Sequence, residues 1–144
     1  MSLAKHIDEF GRDHTWGTSL VHTRNRLVDA IKNQSAQGSV WINIEDPAMV
    51  GAIMSTYGDA INRKILDSCM SEPHTMMEIL SITGISQTTG YRKIMSLIKD
   101  HFLSAHHMVR RSGGKQVSKY IATFKELEFY ILKNQELIRL KFQD

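Results

Sequence analysis

The chain has 144 residues, of which 42% are apolar, with 18 Lys and Arg against 15 Asp and Glu and a single cysteine. That length suits one domain, or a small domain with an extension, and the apolar content is enough to bury a core. One cysteine excludes an internal disulfide framework and fits a reducing compartment, and no apolar run approaches the ~20 residues of a membrane span.

The N-terminus lacks the apolar run of a signal peptide, so the expected location is the cytoplasm. The net charge of +3 is unevenly spread. Residues 1–59 and 60–83 are slightly acidic and residues 120–144 are balanced. Residues 84–119 hold seven bases (Arg92, Lys93, Lys99, Arg110, Arg111, Lys115, Lys119) against Asp100 alone. Such a concentration is the footprint expected for a polyanionic partner.

Residues 1–45 form an N-terminal extension to which the sequence assigns no role; padding of the domain, dimer support and a sensor surface all remain open. Leu3, Ile7 and Phe10 suggest a short helix ending near Gly11, and Leu20, Arg24, Leu27, Val28 and Ile31 suggest another over 20–32. Asn33–Ser39 reads as a turn, and Val40-Trp41-Ile42-Asn43-Ile44 as a short strand, β-branched and aromatic.

Asp46-Pro47 starts a helix, Asp as N-cap and Pro at the first helical position, with Ala48, Met49, Ile53 and Met54 on its apolar side. Tyr57-Gly58-Asp59 ends it. Asp59 then caps a second helix with Ile61, Ile65, Leu66, Cys69 and Met70 facing inward; Cys69 at that spacing reads as a small core hydrophobe. Ser71–His74 is the connection, and Pro73 denies continuation. Thr75-Met76-Met77-Glu78 is a capping box opening a short helix to Thr83 that packs through Met76, Ile79 and Leu80.

The next stretch organises the chain. Gly84 supplies a positive φ to end that helix, Ile85 plugs the angle between helices, and Ser86 caps the following one. Gly90, Ile94, Leu97 and Ile98 share an inward face. Gln87, Thr88, Tyr91, Arg92 and Met95 fall elsewhere, and groups of that kind donate to phosphates and read base edges. Three helices at this spacing match a helix-turn-helix core, the third as the reading helix. Beyond Leu103 the period changes to two. Ser104–Arg110 and Val117–Phe124 read as strands around the basic glycine turn Arg111–Gln116, a hairpin in the position of a wing.

Residues 57–124, through the segments YGDAINRKILDSCMSEPHTMMEIL, GISQTTGYRKIMSLIKDHFL and RRSGGKQVSKY, resemble the ArsR-like winged helix-turn-helix transcriptional regulators of archaeal type. The resemblance covers about half the chain. It implies an α+β fold, with a three-helix core plus a β-hairpin wing, and a homodimer on a pseudo-palindromic site in double-stranded DNA. The sequence departs from the family at Gly90, where a larger apolar residue is usual; the reading helix is therefore expected to be less rigid, by up to ~1 kcal/mol in propensity. The Cys-Val-Cys signature of the metal-sensing branch is absent, so metal sensing is not expected.

His101, His106 and His107 lie near one another in sequence, but strand alternation would put His106 and His107 on opposite faces, so no metal site is expected. No cofactor is expected either. A glycine-rich phosphate loop, a Cys-x-x-Cys pair and a nucleophile motif are all missing, which argues against an enzyme. Residues 125–144 allow a helix through Leu127, Tyr130, Ile131 and Ile138. They also allow a hairpin with Ile138, Leu140 and Phe142 inward and a turn at 133–136; the hairpin is favoured, and either would contribute to a dimer interface.

The domains expected are thus 1–45, a winged helix-turn-helix over 46–124, and a C-terminal hairpin or helix over 125–144. The expected function is sequence-specific transcription regulation. Ser86, Gln87, Thr88, Thr89, Tyr91, Arg92 and Lys93 would contact DNA from the reading helix, and Arg110, Arg111, Lys115 and Lys119 from the wing. The alternative is a winged-helix protein-interaction scaffold that does not read sequence.

Overall fold

The computed structural model describes residues 41–110 and 112–143. The expected helices over 1–15 and 20–32, the turn at 33–39, Val40 and the wing residue Arg111 lie outside the described residues. The described chain is α+β, with four helices and two three-stranded antiparallel sheets. It divides into two units. Of the described residues, one takes in 41–55 together with Glu126–Phe142, and the other those of Thr56–Lys125 with Gln143.

The first unit contains β1 (Trp41–Ile44), most of α1 (Pro47–Gly58), most of β5 (Phe124–Ile131) and β6 (Glu136–Phe142). Asp46 caps α1 as expected, its Oδ2 accepting the Met49 N–H at 3.2 Å. The C-terminal segment is a hairpin and not a helix, closed where the Leu132 N–H donates to the Gln135 carbonyl at 2.8 Å. Its alternation decides this: Ile138, Leu140 and Phe142 are buried, and a helix would scatter them over several faces. β6 lies between β1 and β5, paired with β1 from Ile44↔Ile138 to Trp41↔Lys141. On its other face the Arg139 guanidinium sits 4.7 Å from the Trp41 ring centroid and 3.4 Å from Glu128, and Lys141 lies 3.8 Å from Glu126. Ile44, Met49, Val50 and Ile53 complete the buried apolar set of this unit.

The second unit runs α2 (Ala60–Ser68), β2 (His74–Thr75), α3 (Met76–Thr83), α4 (Gln87–Lys99), β3 (Leu103–Arg110) and β4 (Gln116–Ala122). Asp59 Oδ1 accepts the Ile61 and Asn62 N–H groups, both at 2.9 Å, and so starts α2. Ile65, Leu66 and Cys69 are fully buried beside Ile79, Ile94, Leu97, Phe102 and Leu103, and the three helices all contact one another. The Phe102 ring meets Tyr57 and Phe124 edge-on at 6.0 and 5.9 Å. Burial pushes the Cys69 thiol and the Tyr57 hydroxyl upward from their ordinary values.

Three details of the strands depart from the sequence reading. First, His74–Thr75 is a strand as well as a connection: it pairs antiparallel with β4, His74 against Tyr120 and Thr75 against Lys119, making the sheet order β2–β4–β3. Second, the expected strand over 117–124 is two strands. β4 ends at Ala122, and Thr123 turns the chain, its hydroxyl donating to the His101 carbonyl at 2.6 Å, before β5 begins at Phe124. Third, the β3–β4 register slips between Ala105 and His107. The extra residue of this bulge interrupts alternation. His106 and His107 therefore lie together, Nδ1 to Nδ1 at 2.7 Å, and not on opposite faces.

Candidate nucleic-acid interface

α3 and α4 are joined by a turn whose geometry is local. The Thr75 hydroxyl accepts the Glu78 N–H and Glu78 accepts the Thr75 N–H, both at 3.2 Å, a complete capping box that fixes the start of α3. Gly84 ends α3 at φ 68°, in the left-handed region, with its N–H donating to the Leu80 carbonyl at 3.0 Å. Ile85 is half-buried in the turn. Gly90 is buried facing α3, and a Cβ there would overlap Leu80 Cδ2. The absence of a side chain at Gly90 therefore lets α4 approach α3 closely.

Ser86 occupies the N-cap position of α4, but its side chain makes no capping hydrogen bond, contrary to the sequence expectation. Its carbonyl accepts the Gly90 N–H at 2.8 Å. The backbone N–H groups of Thr88 and Thr89 are thereby left without the side-chain acceptor an N-cap normally offers. Gly90, Ile94 and Leu97 point inward, while Gln87, Thr88, Tyr91 and Arg92 are exposed and Thr89 is half-exposed.

Among the bases the structure separates two groups. Lys93 Nζ lies 2.7 Å from Asp59 Oδ2, joining α4 to the cap of α2. That hydrogen bond is the main reason the Asp59 carboxyl sits below its ordinary value. Lys119 Nζ is 3.8 Å from Glu78 Oε1, brought there by the pairing of Thr75 with Lys119. Glu78 is also held down, chiefly by the Thr75 backbone N–H and then by His74, whose Nδ1 is 3.3 Å away. Arg92, Lys99, Arg110 and Lys115 are exposed and form no ion pair with the described residues. Gly113 and Gly114, at φ 106° and 86°, shape the tip that carries Lys115.

An open groove of about 370 Å³ runs between the start of α3, the exposed face of α4 and β4, lined among others by Met76, Met77, Tyr91, Lys115, Val117 and Tyr120. The sequence reading did not single out Met77 or Tyr120. The pairing of β2 with β4 brings Tyr120 beside α3, and a two-residue strand next to a capping box leaves almost no periodic signal. Among the described residues no group of three or more His, Cys, Asp or Glu is arranged to hold a metal ion, and no helix is long and apolar enough to cross a membrane.

No protein-family model matches the chain, and no curated protein matches it.

Proposed function

We propose that this chain is a sequence-specific DNA-binding transcriptional regulator of the ArsR-like winged helix-turn-helix type, acting as a homodimer on double-stranded DNA. In this reading α4 enters the major groove and the β3–β4 hairpin is the wing on the adjacent backbone. One observation carries it: Gln87, Thr88, Tyr91 and Arg92 occupy the exposed face of a 13-residue helix whose inner face is buried, in the same unit as a hairpin with Arg110 and Lys115 exposed. Arg92 and Gln87 offer the donor and acceptor patterns that base edges demand, while Lys115 and Arg110 neutralise phosphates. The first-turn N–H groups of α4, without a capping side chain, are oriented to receive a phosphate oxygen.

A second reading, the protein-interaction scaffold, is favoured by exposed apolar side chains in the same unit: Met77, Ile82, Tyr91 and Met95 are 51%, 57%, 54% and 43% exposed. Selection from a random-sequence DNA pool at two salt concentrations separates the two. An inverted repeat enriched at both concentrations is expected. Arg92→Ala should weaken binding to that repeat by about 1–3 kcal/mol and relax its sequence, whereas Lys115→Ala should weaken binding to all sequences and flatten the salt dependence by about one unit. Weak binding without enrichment, lost as salt rises, rejects the regulator in favour of the scaffold.

A further inference from the structure

α4 presents two kinds of side chain outward. Arg92 and Lys99 are exposed cations. Thr88, Tyr91 and Met95 are exposed beside them, and their spacing of three and four residues makes them one stripe along the helix. The cations answer to phosphates and guanine edges. They give no reason for an aromatic ring and a thioether on the same face. Tyr91 and Met95 leave apolar surface in water that only an apolar partner group removes favourably. Tyr91 also lines the groove bordered by Lys115 of the hairpin. The stripe therefore has Arg92 and Lys99 beside it on α4 and Lys115 across the groove. A partner matching this face is a polyanion that carries apolar groups at discrete points.

In the major groove the base pairs offer one apolar group, the C5-methyl of thymine. We propose that Tyr91 and Met95 are specificity-determining residues, each packing against a thymine methyl, with the Thr88 methyl at the edge of the same contact. This inference rests on the reading of α4 as the helix in the major groove, and adds which base it selects. The spacing makes it definite. Met95 lies one turn beyond Tyr91, about 6 Å along the helix axis at ~1.5 Å per residue. Base pairs follow one another every ~3.4 Å. With α4 along the groove, the two thymines belong one or two base-pair steps apart. Gln87, one turn before Tyr91 and also exposed, carries the amide that matches adenine N6 and N7. The row Gln87–Tyr91–Met95 thus suits a short run of A·T pairs in each half-site. Any other base at those positions would leave the ring or the thioether against polar edges.

The test starts from the site selected out of a random-sequence pool by the full-length chain. Each thymine in it is replaced in turn by deoxyuridine, which removes the C5-methyl and keeps every hydrogen-bonding group and every charge. Affinity should fall on the order of fourfold at each contacted thymine, the ratio that burial of one methyl group supplies. The sensitive positions should lie one or two steps apart in each half-site, and the salt dependence should not change, because no phosphate contact is lost. This measurement uses the unaltered protein and so does not depend on a variant folding. Tyr91→Ala and Met95→Ala, both at exposed positions, should each become indifferent to deoxyuridine at one of the sensitive positions. Arg92→Ala should bind more weakly and keep the thymine preference. A selected site indifferent to deoxyuridine throughout overturns this inference and leaves the DNA reading standing. So does a methyl preference that both the Tyr91 and Met95 variants retain, or a selected site without thymine. Failure to select any site overturns the DNA reading, and this inference with it.

Discussion

Gly90 shows how a residue's meaning changes with its neighbours. By propensity alone it weakens α4 by about 1 kcal/mol. In the structure a Cβ there would run into Leu80 Cδ2, and Ile85 Cγ2 lies at 3.4 Å from the same point. Leu80 is only half-buried, so its terminal methyl can swing aside at about 0.5–1.5 kcal/mol for an unfavourable rotamer. The propensity gain and the rotamer cost offset each other, and Gly90→Ala should leave stability within ~1 kcal/mol of the parent. Gly90→Leu has no such escape, because a branched side chain must also displace Leu80 Cγ or the turn. It should cost about 1–3 kcal/mol in urea unfolding. A fully stable Gly90→Leu variant would mean that α4 does not approach α3 as described. Cys69 is the opposite case: its apolar spacing alone indicated a core position, and it is fully buried with its thiol pushed upward.

At the scale of elements, Asp59 does two things, capping α2 and holding Lys93 of α4. Its carboxyl is lowered in the folded state, first by the Lys93 hydrogen bond and then by the Asn62 backbone N–H. A carboxyl lowered by folding stabilises above its unfolded value, about 3.9, and that contribution is lost as pH falls through the folded value. Asp59→Asn keeps an acceptor for the cap and removes the charge. It should cost under ~1 kcal/mol near neutrality, since the pair is partly exposed, and should lose less stability than the parent on acidification below about pH 4. Asp59→Ala removes both roles and should cost about 1–2 kcal/mol. Urea midpoints at neutral and acid pH decide; equal acid sensitivity of parent and Asp59→Asn would show that the pair with Lys93 contributes nothing. Glu78, also lowered, leaves a residual acid dependence in both. The helices of residues 46–100 and the caps at Asp46, Asp59 and Thr75 were legible because each is encoded within four residues of itself, whereas the expected Ser86 cap does not form. β2, the bulge at His106 and the break at Thr123 were not. Each depends on a partner a dozen or more residues away: β4 for β2, register against β4 for the bulge, and the His101 carbonyl for Thr123.

For the whole molecule, the same locality limits what the charge pattern says. Counting residues 84–119 gives seven bases, and the sequence cannot show which are already engaged. Lys93 is paired with Asp59 and Lys119 with Glu78, partners 34 and 41 positions away. If DNA is the partner, the phosphates neutralised per protomer come from Arg92, Lys99, Arg110 and Lys115, with Arg111 outside the described residues. Each phosphate contact contributes about −0.9 to the slope of log K against log salt, so these four bases give roughly −3.6 per protomer where all seven would give roughly −6. Substitution by Gln distinguishes the groups. Lys115→Gln should flatten the slope by about one unit. Lys93→Gln and Lys119→Gln should leave it unchanged while lowering stability slightly, because Asp59 and Glu78 lose partners that are themselves partly exposed. A full unit lost on Lys93→Gln would mean that the Asp59 pair opens on binding and that the lysine transfers to a phosphate. In that case Asp59→Asn, which releases Lys93 without DNA, should tighten non-specific binding at low salt.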